Sequence, residues 1–338
     1  MKKKRVFSGV QPTGNLHLGN YLGALKNFVN LQKSGDECIY CVVDLHAITV
    51  KTDPEQLKQN TLEIIASFLA AGLDYKKSII FNQSSVGAHA EFAWILNCIS
   101  RVGWMNRMTQ FKEKAGSNKE NASVGLYIYP TLMAADILLY NATHVPVGDD
   151  QKQHLELTRD IAQKFNNDFN CDGFITIPEP LIQKEFSRIM SLKDGKNKMS
   201  KSDPSEPSRI NLKDDKDTIV QKIKKAKTDS LPVPSNKADL NSRPEAENLI
   251  NIYSSLSDQS LDKTLSDFGG KNFSFLKDKL TELLISKIWP LGQEIKKLLK
   301  DKKYLNSVLK EGSQKAGSIA NNNLQKIYEK VGLSKFKI

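Results

Sequence analysis

Short apolar runs alternate along the chain with longer stretches whose apolar residues recur every three to four positions. Val6–Val10, Cys38–Val43 and Ser78–Phe81 are strand-sized, whereas the stretch from Asn20 and the segment Pro54–Ala71 have helical spacing. The order is βαβαβ. Strands this continuously apolar need cover on both faces, which predicts a parallel sheet wrapped by helices and ligands bound beyond the strands' carboxyl ends.

Residues 88–140 break this rhythm with helix-like segments and a polar, glycine-containing stretch, Lys112–Ser123, before the sheet resumes at His144–Val147. A helix over Gln151–Asn166 and a last strand over Phe174–Ile177 follow, and Ser187–Pro207 then turns polar and loop-like. From Asp214 onward the spacing is helical, as in Ile219, Ile223 and Ala226 or Leu276, Leu280 and Leu284, with Pro232, Pro234 and Pro290 as breakers. The expected fold is α/β: a Rossmann-like, doubly wound parallel sheet over residues 1–207 with a helical insertion at about 88–140, then an all-helical domain over 208–338.

Length and composition fit an enzyme of about two domains. The chain has 338 residues and a net charge of +11. Residues 205–338 hold 25 Lys and Arg against 17 Asp and Glu, and the preceding part 24 against 21, so the basic excess lies in the helical part. That asymmetry fits a polyanion such as RNA, although a lysine-rich genome produces the same balance. Four cysteines are too few for a disulfide framework. Cys38 and Cys41 have CxxC spacing, but on a buried strand positions three apart face opposite ways, so two buried thiols are expected rather than a metal site. No run approaches the ~18 apolar residues of a membrane span and the start runs directly into a strand, so a cytoplasmic protein without a membrane partner is expected.

Two stretches carry chemistry. Strand one gives way to Gln11-Pro12-Thr13-Gly14-Asn15-Leu16-His17-Leu18-Gly19-Asn20, a tight turn opening a helix. Free amides there suit phosphate, Gly14 permits the turn, Gly19 leaves room for a flat purine, and His17 and Asn20 can donate to phosphate oxygens. Alone, the stretch also reads as an ordinary helix start. The second is Lys198-Met199-Ser200-Lys201-Ser202, where two lysines three apart can converge on a triphosphate and Gly195 allows movement; alone, it also reads as a solvated loop.

Together, in this order and separation, they resemble the HIGH-type and KMSKS-type signatures of the class I aminoacyl-tRNA synthetases. Asn20 stands where the general pattern has its second histidine, which matches the tryptophanyl subfamily. Val43–Thr49, Met108–Lys114, Tyr129–Tyr140 and Pro146–Glu156 are also similar to tryptophanyl-tRNA synthetases, so the resemblance covers nearly the whole chain. Leu45 departs from it, standing where the family often has glutamine and leaving His46 without one possible orienter.

An indole needs a flat apolar slot with one acceptor for its N–H, and leaving that donor unpaired when buried costs roughly 1–3 kcal/mol. Asp136 can be the acceptor, with Met133 three residues away on the same helix face; the alternative is a core methionine and an acid paired elsewhere. Pro130 suits a first helical turn, which puts Tyr129 at the helix mouth. The resemblance further implies that Phe7 and Val147 line the slot, that Tyr129 and Gln151 hold the amino acid's polar end, and that His46 lies near its carboxylate. The implied ATP site comprises Gln11, Pro12, Thr13, Gly19, Asn20, Gly148, Asp149, Asp150, Ile189, Lys198, Met199, Ser200, Lys201 and Ser202. Asp149 and Asp150 also fit plain helix caps.

The chemistry implied is tryptophan activation by ATP, with catalysis from Lys198, Lys201, Lys114, His17 and Asn20 and with Mg²⁺ held by ATP phosphates rather than a protein cage. Gly116 and Gly195 in the two lysine-bearing loops fit closure over ATP. The implied partners are L-tryptophan, ATP, tRNA(Trp) read by the basic helical part, and a second copy of the chain meeting it near residues 88–140. Trp289 and Tyr304 sit in apolar helical patterns and read as core. Three rivals share parts of this pattern: a tyrosyl enzyme, a nucleotidyltransferase without tRNA, and a non-catalytic RNA-binding module.

Overall fold

The computed structural model describes residues 3–109, 111, 121–148, 151–181 and 188–333. Five parallel strands form one sheet: β1 (Arg5–Val10), β2 (Glu37–Val42), β3 (Ile79–Asn82), β4 (His144–Pro146) and β5 (Glu179–Leu181), in the order β3-β2-β1-β4-β5. Chain order therefore reverses between β1 and β4, and the crevice beyond their carboxyl ends is where such sheets bind ligands. Apolar side chains of alternate parity enter two cores, Val6, Tyr40 and Val42 on one face and Phe7, Ile39 and Cys41 on the other. Cys38 and Cys41 fall on opposite faces, both as free thiols.

Helices cover both faces. Before β2 come α1 (Leu18–Asn20), a π-helical turn at Tyr21–Leu25 and α2 (Lys26–Lys33); α3 (Asp44–Ala47) and α4 (Pro54–Ala70) precede β3. The segment between β3 and β4 holds α5 (Ala88–Ile99), α6 (Val102–Asn106) and α7 (Val124–Leu138). Pro130 lies in the middle of α7 rather than in its first turn, because the Ser123 hydroxyl accepts from the Leu126 amide at 3.1 Å and starts the helix earlier. After β4 comes α8 (Lys152–Asp168). The last strand is Glu179–Leu181, not Phe174–Ile177, since Asn166 takes both the N–H and the C=O of Ile175 at 2.9 Å and occupies the groups a ladder would use.

Beyond the Ser187–Pro207 stretch the described elements are helices: α9 (Lys216–Lys225), α10 (Lys237–Asn241), α11 (Pro244–Ser257), α12 (Leu261–Phe268), α13 (Phe273–Leu298) and α14 (Lys302–Val331). Pro290 sits inside α13 without ending it. Gly292 lets α13 lie against the main chain at Leu212, where a Cβ would come within 2.2 Å of the carbonyl oxygen, and Leu212 in turn donates to Leu16 O at 2.8 Å. The helical part thus backs the turn before α1. The final helix returns to the sheet: α14 crosses β3 so closely that a Cβ on Gly312 would lie 1.7 Å from Ile80 O. Trp289 packs on the core beneath the Lys216 ammonium, but Tyr304 is 36% exposed, edge-on to Tyr75.

Candidate active site

A cavity of about 510 Å³ opens beyond β1 and β4. Phe7, His46, Tyr129, Met133, Asp136, Val147 and Gln151, drawn from four segments of the chain, all line it, together with Ser8, Gly9, Val43, Ile137, Val145 and Pro146. Phe7 is held flat by stacking on Tyr140, with centroids 5.6 Å apart at 14°. The Tyr129 hydroxyl meets His154 Nε2 at 2.6 Å, which sets the phenol's direction. Pro130 in mid-helix leaves Tyr129 and Met133 one turn apart on the cavity side of α7, with Asp136 below them.

Asp136 is 2% exposed and fully engaged on its inner side, accepting from His46 Nε2 at 2.8 Å, His89 Nδ1 at 2.7 Å and Gln83 Nε2 at 2.6 Å. Burial by itself pushes its pKa up, but the hydrogen bonds and nearby charge of His46 and His89 outweigh this and hold the acid below the usual carboxylate range. It is therefore an ionised acceptor at the end of an apolar slot. Asp136 also orients His46, so the leucine at position 45 does not leave that ring without a partner. Leu45 turns instead toward an apolar surface cleft shared with Ile48 and Trp94.

The polar end of the site is built by the two signature stretches. Gly14 takes φ +66°, and a side chain there would strike Asn60 Oδ1 at 2.3 Å. Asn20 Oδ1 accepts from the His17 amide at 3.0 Å and closes the helix start. His17 is buried, its Nδ1 has no partner among the described residues, and burial together with the charges of Lys201, Arg209 and Lys198 lowers its pKa to about 4. A Cβ on Gly19 would lie 3.1 Å from the His17 ring and 3.7 Å from Ile189, so these three meet at one spot.

Lys198–Ser202 follows a small antiparallel turn in which Met190 pairs with Lys198 and the Met199 amide donates to Ile189 O at 3.0 Å. Met199 is buried beneath it, while the Ser200 and Ser202 hydroxyls meet at 2.8 Å on the open side. Lys201 reaches across to the first signature, donating to Gly14 O at 2.7 Å and to Thr13 Oγ1. Burial lowers its pKa to about 8; Glu63 opposes the shift and Arg209 adds to it. Gly195 is a close-packing glycine rather than a free hinge, since a Cβ would meet the Pro244 carbonyl at 2.4–2.5 Å. Asn248 on α11 fixes the same turn, accepting from the Met190 amide at 2.8 Å and donating to Met190 O at 2.9 Å.

Gln11, Pro12 and Gly148 stand at the carboxyl edge of the sheet between the two ends, Gln11 lining the cavity. Lys114, Gly116, Asp149 and Asp150 lie outside the described residues. Sequence reasoning missed Gln83, His89, Tyr140 and Asn248. Only the polarity of Gln83 and His89 amid apolar neighbours could have drawn attention to them, and that signal does not say what they bond.

A switch-point crevice fed by a helix-opening turn and a lysine loop defines a nucleotide-dependent enzyme of the class I synthetase type. The family model described as tRNA synthetases class I (W and Y) matches residues 1–286. The tryptophan–tRNA ligase of Brucella melitensis is 56% identical, with 98% of each chain covered. Among solved structures, the tryptophanyl-tRNA synthetase of Mycoplasma pneumoniae superposes with a TM-score of 0.85 at 35% identity over 98% of both chains. That of Campylobacter jejuni, solved with ADP and tryptophan, gives 0.81 at 36% identity over 97% of this chain and 100% of its own. The chain belongs to the tryptophanyl-tRNA synthetases of class I.

Proposed function

We infer that this chain carries out the tryptophan–tRNA ligase reaction: it joins L-tryptophan to ATP, giving tryptophanyl-adenylate and pyrophosphate, then passes the tryptophanyl group to the 3′-terminal ribose of tRNA(Trp). The observation carrying this reading is the apolar slot that ends on the ionised Asp136 and opens toward the Lys201 contact with Gly14.

In this reading the indole lies among Phe7, Met133 and Val147 with its N–H on Asp136, and Tyr129, Gln151 and His46 hold the amino and carboxylate ends. The substrate carboxylate is already ionised near neutral pH, so no protein nucleophile is needed. It attacks the α-phosphorus in line, and the barrier falls through positioning and through neutralising charge on the leaving pyrophosphate. Lys198, Lys201 and Lys114 supply that charge, with Ser200 and Ser202 donating beside them. His17, neutral near pH 7, donates to a phosphate oxygen without adding charge, and Asn20 keeps the turn in shape. Gln11, Pro12, Thr13, Gly19, Ile189 and Met199 shape the nucleoside cleft with Gly148 at its edge, and Asp149 and Asp150, which lie outside the described residues, are assigned to the ribose and the substrate ammonium by the family resemblance alone.

The described donor set at the phosphate end is cationic or neutral, which fits phosphate oxygens better than a bare cation. Mg²⁺ would therefore arrive on ATP and spread the charge of the transferring phosphates. Residues 1–207 form the catalytic unit in this reading, and the basic helical part from 208 takes the anticodon arm.

The cleft of Leu45, Ile48 and Trp94 is apolar and open, with Ile48 60% and Trp94 69% exposed. We assign it to a second copy of the chain. Among the described residues no helix is long and apolar enough to cross a membrane; the reading places the enzyme in the cytoplasm, with the tRNA it charges. The test is amino-acid-dependent ATP–pyrophosphate exchange with all twenty amino acids. Exchange with tryptophan alone is expected; exchange with tyrosine, or none from protein that binds ATP, overturns the reading.

A further inference from the structure

Asp136 accepts more hydrogen bonds than an indole contact alone requires. A carboxylate has about four acceptor positions, two on each oxygen. Among the described residues, Oδ1 accepts from Gln83 and His89 and is full, whereas Oδ2 accepts from His46 alone and keeps one position open. Gln83 and His89 are fully buried and line no part of the cavity, while His46 does. Oδ1 is therefore filled from behind, and the open position lies on the cavity side.

Both hidden donors are fixed at their far ends. His89 Nδ1 faces a group that can only accept, so it donates there, and Nε2 meets the Tyr140 hydroxyl at 2.8 Å. Burial pushes the Tyr140 phenol far above its ordinary pKa, so it remains a donor. Gln83 gives its amide nitrogen to Asp136, and its oxygen accepts from the Leu45 amide at 3.1 Å. Neither side chain can turn over without breaking a buried bond.

We propose that Gln83 and His89 are specificity-determining positioning residues for tryptophan: by saturating Oδ1 they present Oδ2 alone to the indole N–H. The proposal rests on the reading of Asp136 as the indole acceptor. Without them Oδ1 competes for the ligand's proton, the carboxylate rotates, and the pocket loses its preference for a side chain that donates at that spot.

The test compares L-tryptophan with its 3-benzothienyl-alanine analogue, in which sulfur replaces the N–H in a similar bicyclic shape, using kcat/KM in pyrophosphate exchange. Wild type is expected to favour tryptophan by about 10- to 100-fold, the range set by one unmade buried hydrogen bond. Gln83→Met and His89→Phe each lower that ratio by about fivefold or more while leaving the KM for ATP in place, which shows that the fold survives. His89→Asn, whose amide nitrogen lies near the former Nδ1, keeps most of it. Should His89→Phe fail to fold, Gln83→Met carries the same comparison. The inference is overturned if wild type discriminates and the folded donor-less variants keep its ratio, or if His89→Asn falls as far as His89→Phe. If wild type itself does not discriminate, the reading of Asp136 fails and this inference fails with it.

Discussion

Lys201 offers the sharpest test of the phosphate end, because its half-buried ammonium faces Gly14 and Thr13 with a pKa lowered to about 8. A depressed lysine is charged below that pKa and loses its proton as pH rises through it. Free enzyme at pH 7 has ~90% of Lys201 charged, and at pH 9 only ~10%. Since kcat/KM reports groups of the free enzyme, its value for ATP at saturating tryptophan should fall about tenfold between those pH values. Bound triphosphate favours the charged form, so kcat should fall less. Lys201→Arg keeps a charge throughout and flattens the alkaline limb, separating this lysine from the titrating amine of the substrate. Lys201→Ala should lose roughly 100- to 1,000-fold in kcat at pH 7, the usual cost of one preorganised donor to a developing anion. An identical alkaline fall in wild type and the Arg variant, or full exchange by the Ala variant, would refute the argument.

Two further outcomes test the frame around the site. Gly312→Ala gains ~1 kcal/mol of helix propensity, but its Cβ would stand 1.7 Å from Ile80 O, so the clash should win by about 1–3 kcal/mol and lower the urea midpoint; an unchanged or higher midpoint contradicts that crossing of α14 and β3. Trp94→Lys places a charge on the exposed apolar face and, with a second copy seated there as proposed, should shift the protein toward monomer in light scattering after size exclusion. A dimer that persists in Trp94→Lys would move the interface elsewhere.

The first three strands, the helices between them and the two signature stretches are legible because each leaves a local mark: a continuous apolar run, a 3.6-residue period, a glycine and polar cluster at a turn. Elements without such a mark were displaced. β5 is the short edge segment Glu179-Pro180-Leu181, tolerated by the sheet rather than demanded by its residues, and the apolar Phe174–Ile177 run lost its ladder to the Asn166 side chain. Pro130 and Pro290 read as helix boundaries from their ring chemistry, yet both lie inside helices whose caps and packing lie elsewhere.

The candidate pocket divides in the same way. By itself the sequence determined the chemical inventory, with Phe7, Met133, Asp136, the His17 turn and the Lys198–Ser202 loop all readable as residue types in order, because a signature is a local fact. Tertiary structure decided what those groups are to one another. Asp136 is held ionised against its burial because His46 and His89, from two other segments, bond it, and the Lys201 pKa is lowered to about 8 because the fold buries it against the first signature turn. Burial and through-space charge depend on residues distant in the chain, so no window of sequence contains them.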